Sequence, residues 1–446
     1  MALTFNRGGV HPPEHKELSS HKAIVALPPP AEVVVHMNQH LGRPAKVLVK
    51  VKDEVKVGDL LGQAEGMISA VVHSPVSGVI KKVERRMSAS GASETAVVIE
   101  VSTEQSLEDD KAFQQVRTLD LDAMTPSELL TAVKEAGIVG KGGATFPTHV
   151  KLTPPADKPV DTLLLNGAEC EPFLTADHQL MLEQPDAVLR GAQVFQKILN
   201  VPSVIIGIEA NKPDAIKLLQ ERIEALKLSG FSVAPVQTRY PQGGEKQLIW
   251  AVLGRSVPSG KLPFEVGVVV QNIATAYAAY EAVFQGKPVY ERAVTVTGYV
   301  KNPGNFRLRM GTSFQEAIAA AGGFTDEARV RAVIHGGPMM GKSIRDLDVT
   351  VMKGTSGIVV LSEDDFFYEK EGPCIRCGRC IAVCPMGLMP TELAVSAQFE
   401  IAEQLPDALD CMECGCCSYI CPTRRKLVHW IRMGKTVYRN HQRSKA

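Results

Sequence analysis

The cysteines of this 446-residue chain are crowded into one short stretch. Nine of the ten lie between Cys374 and Cys421, and only Cys170 stands apart. A secreted protein held together by disulfides would distribute its bridges through the fold. The crowding therefore indicates cysteines that bind metal in a reducing compartment.

Two runs within that stretch share the spacing C-x2-C-x2-C-x3-C-P. Such runs are typical of paired [4Fe–4S] clusters, in which the fourth cysteine of each run binds the other cluster. The first predicted cluster is bound by Cys374, Cys377, Cys380 and Cys421. The second is bound by Cys411, Cys414, Cys417 and Cys384. Zinc is the alternative, but zinc sites rarely show the x3-C-P ending. Cys416 is left without a predicted ligand role.

Charge and hydropathy exclude several classes of protein. Lysine plus arginine equals aspartate plus glutamate at 49 each, so net charge predicts no nucleic-acid partner. The sequence has no uninterrupted apolar run of about 18 residues, the length that predicts a transmembrane helix. Residues 1–16 lack the apolar stretch of a secretory signal. We therefore expect a soluble, cytosolic protein with about three to four domains.

Local patterns divide the chain into segments. Short alternating apolar runs between glycine and proline turns predict strands, and alternating strand and helix patterns predict a parallel sheet. Residues 102–115 are predicted to be a charged linker, and residues 178–199 one long amphipathic helix. The predicted units are an N-terminal arm (1–30), an all-β barrel-sandwich domain (31–103), an α/β domain (126–287), a small α+β domain (288–365) and a helical cluster domain with a basic C-terminal tail (366–446).

Residues 55–80 resemble the biotinyl/lipoyl-type barrel-sandwich domains. Those carriers present a modifiable lysine at a hairpin tip. The corresponding tip here, Gly66–Ser69, contains no lysine. We therefore predict a structural module.

A glycine-rich loop, GKGGATFP, spans Gly140 to Pro147, and Lys151 follows it. Backbone N–H groups of consecutive glycines can approach a phosphate closely, and Lys141 or Lys151 adds positive charge. The loop does not have the G-x-G-x-x-G dinucleotide pattern. From these residues alone, a cofactor loop and a plain turn are equally open.

A second glycine motif, Gly336 to Ser343, matches the P-loop pattern G-x-x-x-x-G-K-[ST]. A P-loop must follow a strand and open a helix. A strand precedes the motif, but the residues after it form a β-rich pattern. We therefore predict that this motif does not hydrolyse nucleotides.

Four stretches resemble, in the same order, the flavoprotein subunit of respiratory complex I. They are GKGGATFPTHVKL (140–152), NGAECEP (166–172), YPQGGE (240–245) and QNIAT (271–275). With its barrel-sandwich start and double-cluster end, the whole chain resembles the RnfC family, the C-type subunits of the Rnf electron-transport complexes. Those complexes are membrane-associated ferredoxin–NAD oxidoreductases that pump Na⁺ or H⁺.

The resemblance implies a multidomain fold of α/β and β units. These would be a barrel-sandwich domain, a Rossmann-like FMN/NADH domain, a β-grasp (soluble-ligand-binding) domain and a helical ferredoxin domain with two [4Fe–4S] clusters. It also implies non-covalent FMN and NAD(H) as substrate. The implied partners are membrane subunits of the same complex and, indirectly, ferredoxin. The implied location is peripheral, on the cytoplasmic face of the cell membrane.

Position by position, the resemblance implies how the cofactors are held. FMN would be bound by Gly140, Gly142, Gly143, Asn166, Asn272 and Thr275. The nicotinamide nucleotide would meet Phe146, Lys151, Glu171 and Glu245. The predicted cofactor-binding set is completed by Lys141, Glu169, Tyr240 and Gly243. Ala168 and Gly244 depart from the complex I pattern, which has acidic residues at both positions.

The expected activity is electron transfer between NAD(H), FMN, the two clusters and a partner protein, with no side chain acting as acid or base. A soluble flavin–iron–sulfur diaphorase and a non-catalytic electron-wire scaffold remain alternatives. A third is the quinone-binding A-type component of the Na⁺-pumping NADH–quinone reductase, which we expect to lack the cysteine runs. From Arg424 onward the chain is basic. Such a segment can bind anionic lipid or an acidic partner protein, or it can be a C-terminal helix with one packed and one solvated face.

Overall fold

A computed structural model describes residues 2–365 and 370–445. The strands are β1 (Ile24–Ala26), β2 (Glu32–His36), β3 (Lys46–Val47), β4 (Glu54–Val55), β5 (Leu60–Gln63), β6 (Val72–His73), β7 (Gly78–Met87), β8 (Ser93–Val101), β9 (Thr162–Gly167), β10 (Ser203–Glu209), β11 (Phe231–Val236), β12 (Val268–Asn272), β13 (Glu291–Gly298), β14 (Gly304–Arg309), β15 (Val330–His335), β16 (Lys342–Ile344) and β17 (Gly357–Ser362). The α-helices are α1 (Thr103–Asp110), α2 (Pro126–Glu135), α3 (Thr148–Lys151), α4 (Ala176–Glu183), α5 (Pro185–Leu199), α6 (Pro213–Ala225), α7 (Glu245–Leu253), α8 (Ile273–Tyr280), α9 (Phe314–Ala320), α10 (Arg379–Ala382), α11 (Pro390–Gln398), α12 (Cys416–Tyr419) and α13 (Leu427–Lys445).

The first β-rich unit contains two antiparallel sheets, in the orders β2-β8-β7-β4 and β3-β5-β6. Alternating apolar residues of these strands, among them Val33, Leu61 and Ile99, form a separate buried core. At the tip without a lysine, Met67 is 79% exposed. The all-β prediction for this segment is confirmed.

The second unit is a four-stranded parallel sheet in the order β11-β10-β9-β12, as the strand and helix patterns predict. Its central strands are apolar on both faces because helices cover both sides. Helices α5 and α8 pack so closely that a Cβ atom at Gly191 would lie 1.8 Å from the carbonyl oxygen of Ala276. Strands β10 and β11 follow β9 in sequence and lie on one side of it, whereas β12 lies on its other side. The gap between β9 and β12 is therefore the topological switch point of the sheet.

The prediction of one long helix over residues 178–199 is wrong. Two helices, α4 and α5, occupy the segment, and Pro185 is the first residue of the second. Proline has no N–H to donate and disfavours a helical conformation in the residue before it. Gln184 accordingly leaves the helix, with φ −131° and ψ 47°.

The third unit is a six-stranded mixed sheet in the order β1-β14-β13-β17-β15-β16. Its edge strand β1 comes from the N-terminal arm and pairs in parallel with β14. Two residues of the arm also form isolated β-bridges, Leu3 with Val236 of the α/β sheet and Val10 with Tyr240. The arm therefore joins two sheets.

The segment interpreted as a charged linker contains helix α1 and is packed. Its buried Ser106 hydroxyl accepts a hydrogen bond from the Ser77 N–H at 2.8 Å, and Asp109 accepts one from the Ser77 hydroxyl at 2.6 Å. The segment is thus fixed to the barrel-sandwich unit.

The cysteine-rich segment is built from the short helices α10 and α12 and the longer helices α11 and α13. Leu393, Leu405 and Ile431 form its apolar core, on which the basic C-terminal helix α13 packs. Among the helices of residues 2–365 and 370–445, none combines the length and apolar character needed to cross a membrane.

Candidate functional site

Two asparagines occupy the switch point of the parallel sheet. Asn166 is the penultimate residue of β9, Asn272 ends β12, and the two are register partners. The Asn166 amide donates to the carbonyl oxygen of Gly243 at 2.8 Å. Asn272 caps helix α8 and donates to the Asp177 carboxylate at 2.6 Å. Ligands of open α/β sheets bind outside the carboxyl ends of the strands at such a point.

The glycine-rich loop lies against Asn272. A Cβ atom at Gly142 would lie 2.6 Å from the Asn272 amide nitrogen, whereas a Cβ at Gly143 would have no atom within 4 Å. The loop is closed by a hydrogen bond from the Gly140 N–H to the Phe146 carbonyl at 2.9 Å. Gly142 is thus fixed by close packing, and Gly143 borders open space.

Lys141 and Thr275 fix the start of this loop. The Lys141 N–H donates to the Thr275 hydroxyl at 3.0 Å, and Arg292 donates to the Lys141 carbonyl at 3.3 Å. Burial lowers the pKa of the Lys141 ammonium to about 8. The structure therefore brings together the predicted residues Lys141, Gly142, Asn272 and Thr275.

The acidic residues Glu169 and Glu171 contact different elements. Glu169 accepts hydrogen bonds from the N–H groups of Asp177 and His178 at the start of α4, at 2.7 and 3.2 Å. Glu171 accepts hydrogen bonds from the N–H groups of Met339 and Met340 at 3.0 and 2.9 Å. Burial raises the pKa of Glu171 to about 7, against the effect of these hydrogen bonds. Both Glu171 oxygens are therefore engaged within the protein.

Two lysines that no sequence motif identifies, Lys16 and Lys212, also support the segment that contains Glu169 and Glu171. Lys16, in the N-terminal arm, donates to the carbonyl oxygens of Glu169, Glu171 and Leu174 at 2.8, 3.1 and 2.5 Å. Lys212 donates to the Ala168 carbonyl at 2.7 Å. Neither lysine belongs to a motif, and their role depends on contacts distant in sequence.

Asp177 is another residue that sequence reasoning misses. Burial and the neighbouring Glu169 charge raise its pKa to about 6, while the Asn272 hydrogen bond opposes the shift. It lies beside the glycine-rich loop only because β12 and α4 meet at the switch point. No local pattern could have singled it out.

Lys151 and Glu245 form an ion pair at 2.5 Å. Glu245 opens helix α7 immediately after Gly244. A Cβ atom at Gly244 would lie 2.5 Å from the Gln247 side-chain oxygen and 2.7 Å from the Met412 methyl carbon. The glycine that departs from the complex I pattern therefore makes room for the second cysteine run.

Tyr240 connects this site to the cysteines. Its hydroxyl donates to the Cys414 carbonyl at 2.8 Å and lies 3.5 Å from the Glu171 carboxylate. The ring is buried with Cys414 and with Cys416, the cysteine without a predicted ligand role. Cys170 and Met412 pack against the same cluster. The candidate flavin side and the second cysteine run are therefore in direct contact.

The two cysteine runs have the same local geometry. Each makes a left-handed turn at a glycine, Gly378 with φ 73° and Gly415 with φ 82°, before a four-residue helix. Backbone N–H groups approach cysteine sulfurs at 3.3 to 3.5 Å in both runs, at Cys374, Cys384, Cys411 and Cys421. Such N–H···S contacts suit sulfurs that bind an iron–sulfur cluster.

Burial, and then the charges of Cys414, Cys411 and Cys384, raise the pKa of Cys417. These four cysteines are the predicted ligands of the second cluster. Among the described residues, no three His, Cys, Asp or Glu side chains converge on a position for a single metal ion.

Four family models match the chain. They are the RnfC barrel sandwich hybrid domain (3–104), the Nuo51 FMN-binding domain (133–281), the SLBB domain (293–343) and the 4Fe-4S dicluster domain (367–422). The second and fourth confirm the prediction that the cofactors are FMN and two [4Fe–4S] clusters. The open cradle at Gly143 and the N–H···S contacts fit these groups.

Curated relatives match over most of the chain. The C subunit of the proton-translocating ferredoxin:NAD(+) oxidoreductase complex of Clostridium ljungdahlii is 43% identical, covering 96% of this chain and 93% of the relative. The C subunit of the Na(+)-translocating complex of Acetobacterium woodii is 43% identical, covering 96% of each. The C subunit of the ion-translocating oxidoreductase complex of Rhodobacter capsulatus is 41% identical, covering 87% and 74%.

Among solved structures, the NAD+-reducing [NiFe]-hydrogenase in its air-oxidized state has a TM-score of 0.52 at 18% identity, covering 74% of this chain and 68% of that chain. This likeness concerns the fold alone. Fold and site together define a multidomain flavin and iron–sulfur protein of electron transport. With the curated relatives, they place the chain in the RnfC family of the ion-translocating ferredoxin:NAD(+) oxidoreductase (Rnf) complexes, and the resemblance found in the sequence is confirmed.

Proposed function

We propose that this chain is the NAD(H)-reactive subunit of an ion-translocating ferredoxin:NAD(+) oxidoreductase complex. The observation that carries the proposal is the contact of Tyr240, a residue of the predicted cofactor-binding set, with Glu171 on one side and Cys414 on the other. A site for two-electron chemistry and a site for one-electron chemistry are thus adjacent in one chain. The relatives' names, which specify ferredoxin and NAD(+), support the same substrate pair.

Within the proposed site, the glycine-rich loop and the switch-point asparagines hold FMN. Lys141 is buried at the start of the loop, where Thr275 and Arg292 hold its backbone. Phe146 and the Lys151–Glu245 pair border the side on which the nicotinamide nucleotide would lie. When bound there, FMN would supply the conversion between the two-electron chemistry of a hydride and the one-electron chemistry of iron–sulfur clusters. The residues bind, orient and space these groups, and none is needed as an acid or base.

The two clusters would act in series. The second, with buried Cys384, Cys414 and Cys417, lies on the side of Tyr240. The first includes Cys374 and Cys377, both in an exposed loop. We infer that the second cluster, when bound, would supply a one-electron site next to the flavin side, and that the first would supply one at the surface, accessible to a partner protein of the complex.

The partners proposed are membrane subunits of the same complex, with ferredoxin acting through them. The chain would then be peripheral, on the cytoplasmic face of the membrane. We also propose that the domains have the boundaries predicted from the sequence. The unit with the parallel sheet is then Rossmann-like, and the unit with the six-stranded sheet is a β-grasp domain. The basic face of α13 is a candidate contact with the membrane complex.

Gly143 offers a direct test. A Cβ at this position meets no protein atom within 4 Å, so Gly143→Val fills only the space proposed for FMN. In the reconstituted chain we expect unchanged cluster content and unfolding free energy, but loss of FMN fluorescence quenching and of NADH-dependent bleaching. A wild-type chain that binds no FMN would contradict the proposal and favour the electron-wire alternative, whereas a variant that binds FMN equally well would contradict the placement of FMN at the glycine-rich loop.

A further inference from the structure

The P-loop-like motif holds a carboxylate of the chain itself. Strand β15 precedes it and strand β16, not a helix, follows it, which confirms that it lacks the context of a P-loop. The N–H groups of Met339 and Met340 donate to the two oxygens of Glu171 at 3.0 and 2.9 Å. The motif's Lys342 donates instead to the Ser90 carbonyl at 3.0 Å. The anion of this loop is therefore Glu171.

The lack of a side chain at Gly337 leaves room for this contact. A Cβ atom there would lie 2.3 Å from a Glu171 carboxylate oxygen and 2.6 Å from its Cβ. A distance under about 3 Å requires the neighbour to move. Any residue larger than glycine at position 337 would therefore displace the Glu171 side chain.

The same loop contacts the second cysteine run. The Met339 carbonyl oxygen would lie 2.8 Å from a Cβ at Gly415, and the Met339 side chain packs with Cys414, Cys416 and Tyr240. Tyr240 closes the connection, because its hydroxyl lies between Glu171 and the Cys414 carbonyl. One loop of the small α+β unit thus touches both sides of the contact between the candidate flavin site and the cluster.

We propose that residues 336–341 form a carboxylate clamp that fixes segment 166–174 against the second cysteine run, with Glu171 as its positioning residue. Glu171 then acts by holding the two sites at a fixed separation and does not contact the nicotinamide nucleotide. The clamp transfers no electron or proton. The proposed function enters only in the identity of the two sites that the clamp joins, the flavin site and the cluster site.

Hydrogen–deuterium exchange of the full chain tests the clamp without any redox reaction. In Glu171→Ala and in Gly337→Ala, we expect the Met339 and Met340 amides to exchange about tenfold or more faster, the range for losing a hydrogen bond to a charged group. Ser343→Ala removes the hydroxyl of the P-loop pattern and should leave exchange unchanged. Exchange unaltered in both Glu171→Ala and Gly337→Ala, or accelerated equally by Ser343→Ala, would overturn the clamp.

Rapid mixing with NADH, followed by flavin absorbance and low-temperature EPR, tests the consequence in the FMN- and cluster-loaded chain. In Gly337→Ala we expect flavin bleaching at the wild-type rate and cluster reduction slowed about tenfold or more, because small misplacements are costly for reacting groups. If Glu171→Ala slows bleaching and Gly337→Ala changes neither step, Glu171 acts on the nucleotide and the positioning role is wrong. A wild-type flavin that NADH does not bleach would contradict the proposed function, and the exchange data would still decide the clamp.

Discussion

Lys16 gives the most demanding prediction about how the candidate site is built. Its ammonium group donates to the carbonyl oxygens of Glu169, Glu171 and Leu174, which uses all three of its protons. Replacing it in Lys16→Met keeps a long apolar side chain but removes every donor. The segment that carries the predicted cofactor contacts would lose its support from the N-terminal arm.

The expected cost follows from two opposing effects. A buried carbonyl left without a donor costs about 1–3 kcal/mol, and three are affected. Burial, and then repulsion by Lys212, lower the pKa of Lys16, so removing the cation relieves part of this cost. We expect a net loss of about 2–3 kcal/mol in the free energy of unfolding, together with weaker FMN binding.

Urea unfolding and FMN fluorescence titration measure both effects. Lys22→Met is the matched control, because Lys22 lies in the same arm and donates to a single exposed carbonyl, that of Pro303, at 2.8 Å. It should change the unfolding free energy by less than about 0.5 kcal/mol. If Lys16→Met behaves like Lys22→Met in both assays, the arm does not support the site and the reasoning is refuted.

Three further predictions address the core, the pH response and the second cluster. Gly191→Ala should lower the unfolding free energy by about 1–3 kcal/mol, because its Cβ would meet the Ala276 carbonyl oxygen; an unchanged urea midpoint would contradict the α5–α8 contact. Burial lowers the pKa of His36 to about 4, and neither ring nitrogen has a partner among the described residues, so its contribution to stability, fully present above pH 6.5, should fall by about 3 kcal/mol between pH 6.5 and pH 4. Because burial also lowers the pKa of His40, His73, His149 and His335, His36→Leu should reduce the pH dependence of urea unfolding between pH 7 and 4 by about that amount without removing it, and an unchanged slope would contradict the assignment to His36. Lys435→Gln removes a cation that donates to the Cys411 carbonyl at 2.6 Å, so an EPR redox titration should give a second-cluster potential lower by on the order of 50 mV, and an unshifted potential would contradict this placement.

Much of the fold is predictable because it depends on local patterns. The parallel sheet follows from alternating strand and helix patterns, and the failure of the P-loop motif follows from the strand after it. The break at Pro185 was also visible in the sequence. The helical periodicity of residues 178–199 favours one helix, whereas Pro185 indicates a new start, because proline is common at the first position of a helix.

The parts of the site that the sequence could not reveal depend on contacts distant along the chain. Lys16 lies more than 150 residues from the carbonyl groups that it supports. The role of Glu171 depends on Met339 and Met340, 168 and 169 residues away. Loops at the carboxyl edge of a parallel sheet come together only after folding, so motifs identify the candidates but not their partners.

The central claim is that one chain connects NAD(H), flavin and two clusters. The most direct measurement is an anaerobic NADH titration of the reconstituted chain, followed by flavin absorbance and low-temperature EPR. Our account predicts that the flavin bleaches and that reduced [4Fe–4S] signals follow, the cluster bound by Cys384, Cys411, Cys414 and Cys417 being coupled to the flavin. Intact clusters without bound FMN, and without any response to NADH, would contradict it.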